Sequence, residues 1–305
     1  MADNKKPDYT DFDWTELIRD RTAKWQRMLV ELTDENLCPI DIWGQSEPKL
    51  LHPDCFRAKL FLLPVHLGKP RGTFIVCAGG GFKFKSRNEA KPVAEYFHKQ
   101  GLNTAILDYT TNPEGALGDD TQLKACEDGL RAIRYLRYHA DKLGIRADKI
   151  AIGGFSAGGM LSNLAATRYD GGNENDADPI EHVSSRPDAA LLFYGASTPA
   201  SISGPMLGYD SRAQKETAAR SPEKNLKSDS PPYFMFQTAA DHPHGMLTMA
   251  AELSSRGIPF VMHLFKDGLH GGGLYDGENE DSPTIPHTAK WAELAADWLH
   301  DLDFA

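Results

Sequence analysis

The chain has 305 residues, 41% of them hydrophobic and 25% charged, with a formal net charge of −10. That balance is ordinary for a folded domain and excludes the disordered and fibrous classes. The acidic excess argues against nucleic acid or a membrane surface as partner, since both select basic patches, and favours a neutral or modestly polar small molecule.

Residues 1–11 are polar where a secretory leader needs an apolar run, and no apolar stretch is long enough to span a bilayer. Cys38, Cys55, Cys77 and Cys126 form no CxxC pair, so neither a disulfide framework nor a zinc site is expected. A cytoplasmic protein with reduced thiols and no bound metal is the expectation. Homo-oligomerisation is left open.

From 14 to 32, Trp14, Leu17, Ile18, Trp25, Met28, Leu29 and Leu32 recur at mostly helical spacing. The proline-rich, polar stretch 38–53 reads as an extended lead-in over the surface. Residues 1–56 are thus an N-terminal helix and lead-in packed on a main domain, 57–305. There, apolar runs at 58–63, 73–77, 104–107, 150–153, 189–193, 233–237 and 260–265 read as strands. Helical segments near 90–100, 121–143, 158–168, 246–256 and 288–302 separate them. This alternation implies an α/β class protein with a largely parallel sheet covered on both faces. Two irregular stretches, 169–187 and 197–232, are long enough to be functional or mobile, and the second is a candidate wall of a substrate pocket.

The segment 149–160 carries Gly154-Phe155-Ser156-Ala157-Gly158 between an apolar strand and a helix. A nucleophilic serine needs this context: a sharp turn with small neighbours, then a helix whose amides and dipole face a developing oxyanion. A glycine-rich turn whose serine merely caps the helix is the plainer alternative. Gly79-Gly80-Gly81-Phe82 follows the strand at 73–77 and lacks the Gly-Lys-Ser/Thr ending of a phosphate loop. The amides of Gly80 and Gly81, with that of Ala157, are the expected oxyanion hole.

For the base, His270 stands after the last strand among glycines, whereas His263 lies inside that strand and reads as packing. The acid should follow an earlier strand and precede the histidine, and Asp241 does so with room for one helix and one strand between. Asp267 is its rival, and a turn aspartate capping the next helix is the plain reading of Asp241. Phe82, Phe155 and His242 are candidate pocket residues; His242 and His244 are equally well read as surface residues.

Together these segments resemble the acetyl-esterase and acetyl-xylan-esterase-like branch of the α/β hydrolases, near the hormone-sensitive-lipase-like and feruloyl-esterase-like groups. The likeness covers about 57–300 and takes in 91–97, 131–137, 178–180 and 185–188. It departs at Ala78, where histidine or proline is frequent, at Phe82, where tyrosine is common, and at Asp108-Tyr109-Thr110, which lacks an arginine. The resemblance implies an α/β-hydrolase fold, with Ser156, His270 and Asp241 as triad and no cofactor. It also implies hydrolysis of small carboxylic esters through an acyl-enzyme, on acetylated or aryl-acylated carbohydrates. Some such relatives are labelled xylanases, but no pair of flanking carboxylates suited to glycoside hydrolysis is visible. A serine peptidase of the same fold is a competing reading, without a propeller to gate peptides. A binding protein that keeps the fold without chemistry is another.

Overall fold

Seven apolar runs become strands, and an eighth, hidden in the lead-in, joins them. The computed structural model describes residues 14–44, 46, 57–114, 121–195, 221–279 and 281–305. Cys55 and most of the expected pocket wall, 197–220, lie outside the described residues. The strands are β1 (Ile40–Asp41), β2 (Lys59–Leu62), β3 (Arg71–Cys77), β4 (Asn103–Asp108), β5 (Ile145–Phe155), β6 (Ala189–Phe193), β7 (Tyr233–Thr238) and β8 (Phe260–Phe265). They form one sheet in the order β1-β2-β4-β3-β5-β6-β7-β8. β2 pairs antiparallel with β1 and β4, and the remaining pairs are parallel. The central parallel strands β4, β6 and β7 are buried throughout, which is why they read as unbroken apolar runs; the edge strand β8 is only partly covered.

One face is covered by α1 (Trp14–Asp34), α2 (Lys91–Lys99) and a C-terminal pair, α7 (Pro286–Ala289) and α8 (Trp291–Asp301). The other carries α3 (Thr121–Tyr138), the short α4 (Ala140–Leu143), α5 (Ala157–Arg168) and α6 (His244–Ser255). α5 is buried all round from Ala157 to Thr167, as a helix wedged between sheet and neighbouring helices must be. α1 buries Trp25, Met28 and Leu32, and Trp25 Nε1 donates to Asp108 Oδ1 at 2.9 Å. The N-terminal helix is thereby tied to the end of β4.

One expectation fails over the described residues. Between 40 and 43 the lead-in enters the fold instead of lying over the surface: Ile40–Asp41 pairs with β2, Ile42 and Trp43 are buried, and Trp43 Nε1 donates to Asp128 Oδ1 at 2.9 Å. A two-residue strand is too short to show a period of two. The stretch 169–187, expected to be functional or mobile, is pinned to α3 by Arg131, Arg134 and Arg137. Its turn Pro179–His182 is capped by the Asp178 carboxylate, which accepts from the Ile180 amide.

Candidate active site

Ser156 stands between the end of β5 and the first turn of α5, with φ 49° and ψ −116°. This is a region non-glycine residues occupy only when the surroundings hold them there. A side chain at Gly154 would place its Cβ 2.2 Å from the Cys77 carbonyl oxygen, and one at Gly158 would come within 2.1 Å of the same atom. β3 and α5 therefore close on the turn because both glycines lack a Cβ. The Ser156 amide donates to the Phe193 carbonyl at 3.0 Å, and its carbonyl accepts from Met160 at 2.9 Å. The hydroxyl is left free to point out of the sheet's C-terminal edge, where open α/β sheets place their sites.

His270 comes from the loop after β8, and Asp241 from the loop between β7 and α6. His270 Nε2 lies 2.7 Å from Ser156 Oγ, and Nδ1 lies 2.7 Å from Asp241 Oδ2. The other carboxylate oxygen of Asp241 accepts the His242 amide at 2.9 Å. Burial alone would raise the Asp241 carboxyl, but the hydrogen bond and charge of His270 and the His242 amide outweigh it, so it lies below its ordinary value. An ionised carboxylate only accepts. Nδ1 therefore carries the imidazole proton, and Nε2 is free to accept from the serine. Burial disfavours the charged form of His270, yet the hydrogen bond and charge of Asp241, with the charge of Glu89, raise it above the ordinary histidine value.

The rival acid is elsewhere. Asp267 has a carboxylate 65% exposed and 3.9 Å from Lys266 Nζ. Its backbone carbonyl, rather than the side chain, serves the turn by accepting from Thr288 Oγ1 at 2.5 Å.

The glycine loop lies against the serine: a Cβ on Gly79 would sit 2.9 Å from Ser156 Cβ. Gly80 (φ 135°) and Gly81 (φ 61°) both turn through positive φ. A Cβ on Gly80 would come 2.1 Å from the Phe84 carbonyl oxygen. Ala157, the third expected donor, opens α5 directly after the serine.

The expected pocket residues divide. Phe155 is not a pocket residue: it is fully buried among Phe193, Tyr194 and Trp291, with ring centroids 4.7, 5.4 and 5.6 Å away. The period of two turns the residue before the serine into the core. Phe82 is buried too, edge-on to Tyr109. His242 is exposed beside the acid, with its backbone bonded to Asp241 and Gln237. His244 opens α6 and is exposed as well.

Sequence reasoning missed two residues of this site. Glu89, which stands in the charged segment 83–91, is 1% exposed and contacts the Gly79 amide and Tyr194. Tyr194 stands one position past β6 with its ring 5.1 Å from that of His270. Its place at the C-terminal end of a central parallel strand was the available signal.

A serine on a sharp strand-to-helix turn at the C-terminal edge of this sheet, reached by a histidine and an aspartate from later loops, defines the chain as an α/β-hydrolase. It belongs to the BD-FAE family, whose model matches residues 61–244. That stretch contains Ser156 and Asp241 and ends before His270. The chain is 29% identical to endo-1,4-beta-xylanase B of Butyrivibrio fibrisolvens over 76% of this chain and 37% of that protein. It is 26% identical to the probable carboxylic ester hydrolase LipM of Mycobacterium tuberculosis over 63% of this chain and 48% of that protein. It therefore spans less than half the length of these two curated relatives. Among solved structures it resembles an acetyl ester-xyloside bifunctional hydrolase from Caldicellulosiruptor lactoaceticus, with 27% identity and a TM-score of 0.74 over 88% of this chain and 97% of that one. Among the described residues no helix is long and apolar enough to cross a membrane.

Proposed function

We propose that the chain is a serine carboxylic-ester hydrolase that forms an acyl-enzyme at Ser156, with His270 as general base and Asp241 as the acid behind it. The observation that carries this reading is the unbroken relay of 2.7 Å contacts from Ser156 Oγ through the imidazole to Asp241 Oδ2, with the serine held at positive φ. As Oγ attacks an ester carbonyl, Nε2 takes its proton and Asp241 stabilises the imidazolium; the same proton then goes to the leaving alkoxide. The Gly79 amide is engaged by Glu89 at 2.7 Å, so the oxyanion role falls to the amides of Gly80, Gly81 and Ala157. Water repeats the sequence to free the acid.

Small esters, above all acetyl or aryl-acyl groups on carbohydrates, are the proposed substrates. The likeness to the Caldicellulosiruptor hydrolase, which acts on acetyl esters and xylosides, supports this choice. Glycoside cleavage is not proposed, because it needs two free carboxylates flanking the bond. Here Asp241 is held by His270, and Glu89 by Gly79 and Tyr194. A cytoplasmic place is proposed with the esterase reading, supported by free thiols at Cys77 and Cys126. The test is fluorophosphonate labelling of the pure protein with mass mapping, beside turnover of p-nitrophenyl acetate, acetylated xylo-oligosaccharides and a p-nitrophenyl xyloside. Label on Ser156 and turnover of the esters alone is expected; an unlabelled, folded protein sinks the reading.

A further inference from the structure

The ester chemistry above leaves one buried carboxylate of the site without a role. Glu89 closes the short 3₁₀ turn Arg87–Glu89 and is almost wholly buried. Its Oε2 accepts the Gly79 amide at 2.7 Å, and its Oε1 accepts the Tyr194 hydroxyl at 2.7 Å. The Tyr194 oxygen accepts in turn from the Gly273 amide at 2.9 Å, three residues beyond His270. One carboxylate thus spans the loop bearing the candidate oxyanion amides and the loop bearing the candidate base.

We propose that Glu89 is a positioning residue of this site: its carboxylate locks the glycine loop at Gly79 and, through Tyr194, the His270 loop, and its negative charge favours the imidazolium formed when Ser156 gives up its proton. The kinetic part of this rests on the serine-hydrolase reading. A merely structural brace has no use for the charge, because a neutral amide can also bridge an N–H and a hydroxyl. An ionised carboxylate is the costlier group to bury.

Among the described residues the following groups face His270. Asp241 reaches it from the end of β7, Ser156 from the turn before α5, and Tyr194 from the end of β6. Tyr275, from its own loop, bonds the Leu269 carbonyl, and Glu89 acts by its charge. Arg21 of α1 acts in turn on Glu89. Burial pushes the Glu89 carboxyl up, opposed by the Tyr194 hydrogen bond, the His270 charge, the Gly79 amide and Arg21.

The test is an NMR titration of the His270 ring in the full chain, wild type and Glu89→Gln, beside the pH profile of kcat/KM on p-nitrophenyl acetate. Glu89→Gln is expected to lower the imidazole midpoint and the acidic limb of kcat/KM together. It should also reduce kcat by roughly ten- to a hundredfold with little change in KM, the scale of a small misplacement of catalytic groups. Tyr194→Phe keeps the charge and cuts the tie to Gly273, so kcat should fall while the imidazole midpoint stays near wild type. An unchanged His270 midpoint in folded Glu89→Gln overturns the proposal. Should that variant not fold, wild-type kcat in both Tyr194→Phe and Glu89→Asp overturns it. The NMR midpoint needs no turnover. A protein that shows the midpoint shift but takes no fluorophosphonate refutes the esterase reading and supports the coupling of Glu89 to His270.

Discussion

Two groups of buried charge in this molecule do different things. On α3, Arg131, Arg134 and Arg137 stand three residues apart and meet the segment 170–188. Arg131 meets Asp178 at 2.5 Å and Glu181 at 2.8 Å, Arg134 meets Asp170, and Arg137 meets Asp188 at 2.7 Å. Every guanidinium there is permanently charged and paired, so the ladder holds an irregular segment on a helix and has no second state. At the site, Asp241 and Glu89 act on an imidazole that, in the proposed mechanism, gains and loses a proton. Charge around a titrating group alters a rate; charge around a fixed ion alters stability.

If that contrast holds, substitutions at the site should damage turnover and spare the fold. The largest effect is expected for Ser156→Ala, with kcat lower on the order of a millionfold, the scale for a nucleophile in a cooperating triad. Its melting temperature should hold, because among the described residues the hydroxyl bonds His270 alone, at the surface. Asp241→Asn should cost on the order of ten-thousandfold, since an amide favours the wrong tautomer of His270. Stopped assays on p-nitrophenyl acetate, with circular dichroism melts, measure both. Equal loss of activity and of melting temperature in either variant would erase the contrast.

The ladder should behave the other way. Arg131 is 2% exposed, and Arg131→Met leaves Asp178 without its cation and Glu181 with Arg134 alone, 3.5 Å away; breaking a buried pair in this manner costs about 3 kcal/mol or more. Denaturant unfolding should show that loss while kcat/KM per folded molecule stays at the wild-type value. The pH profile is a milder probe of the site. His270 is held above its ordinary value of 6.5, and only the neutral ring accepts the serine proton. So kcat/KM should be full well above that raised midpoint and fall about tenfold per pH unit below it. A rate that is level from pH 6 to 8 would remove histidine as the base.

How far these regions could be read from the chain follows from the range of the interactions that make them. β6 was bounded correctly at 189–193, because a central parallel strand is apolar throughout. The Gly154–Gly158 turn was legible because the close approach of β3 demands glycine at fixed offsets. The segments of the ladder, 131–137, 178–180 and 185–188, stood out as family text, but their pairing was not legible, since the partners lie 36 to 51 residues apart along the chain. Glu89 was hidden for the same reason: its hydrogen bond to Tyr194 spans 105 residues, and nothing in 83–91 marks one acidic residue as buried among so many charges. Phe155 was misassigned because closeness to Ser156 along the strand means the opposite face of the sheet.

The smallest effect is expected at Asp267, and it tests whether the distinction lies in geometry or merely in closeness along the chain. Asp267 is three residues from His270, yet its carboxylate faces solvent 3.9 Å from the exposed Lys266 amine. An ion pair this open contributes between nothing and about 1 kcal/mol. The turn itself depends on the Asp267 carbonyl, which accepts from Thr288 Oγ1, and an asparagine keeps that carbonyl. Asp267→Asn should therefore leave kcat/KM within about twofold of wild type and stability within about 0.5 kcal/mol, the usual range for a surface change. Asp241→Asn, assayed on the same ester and at the same pH, supplies the contrast. If Asp267→Asn proves the more damaging of the two, the acid reaches His270 from its own loop, and the relay drawn from β7 is wrong.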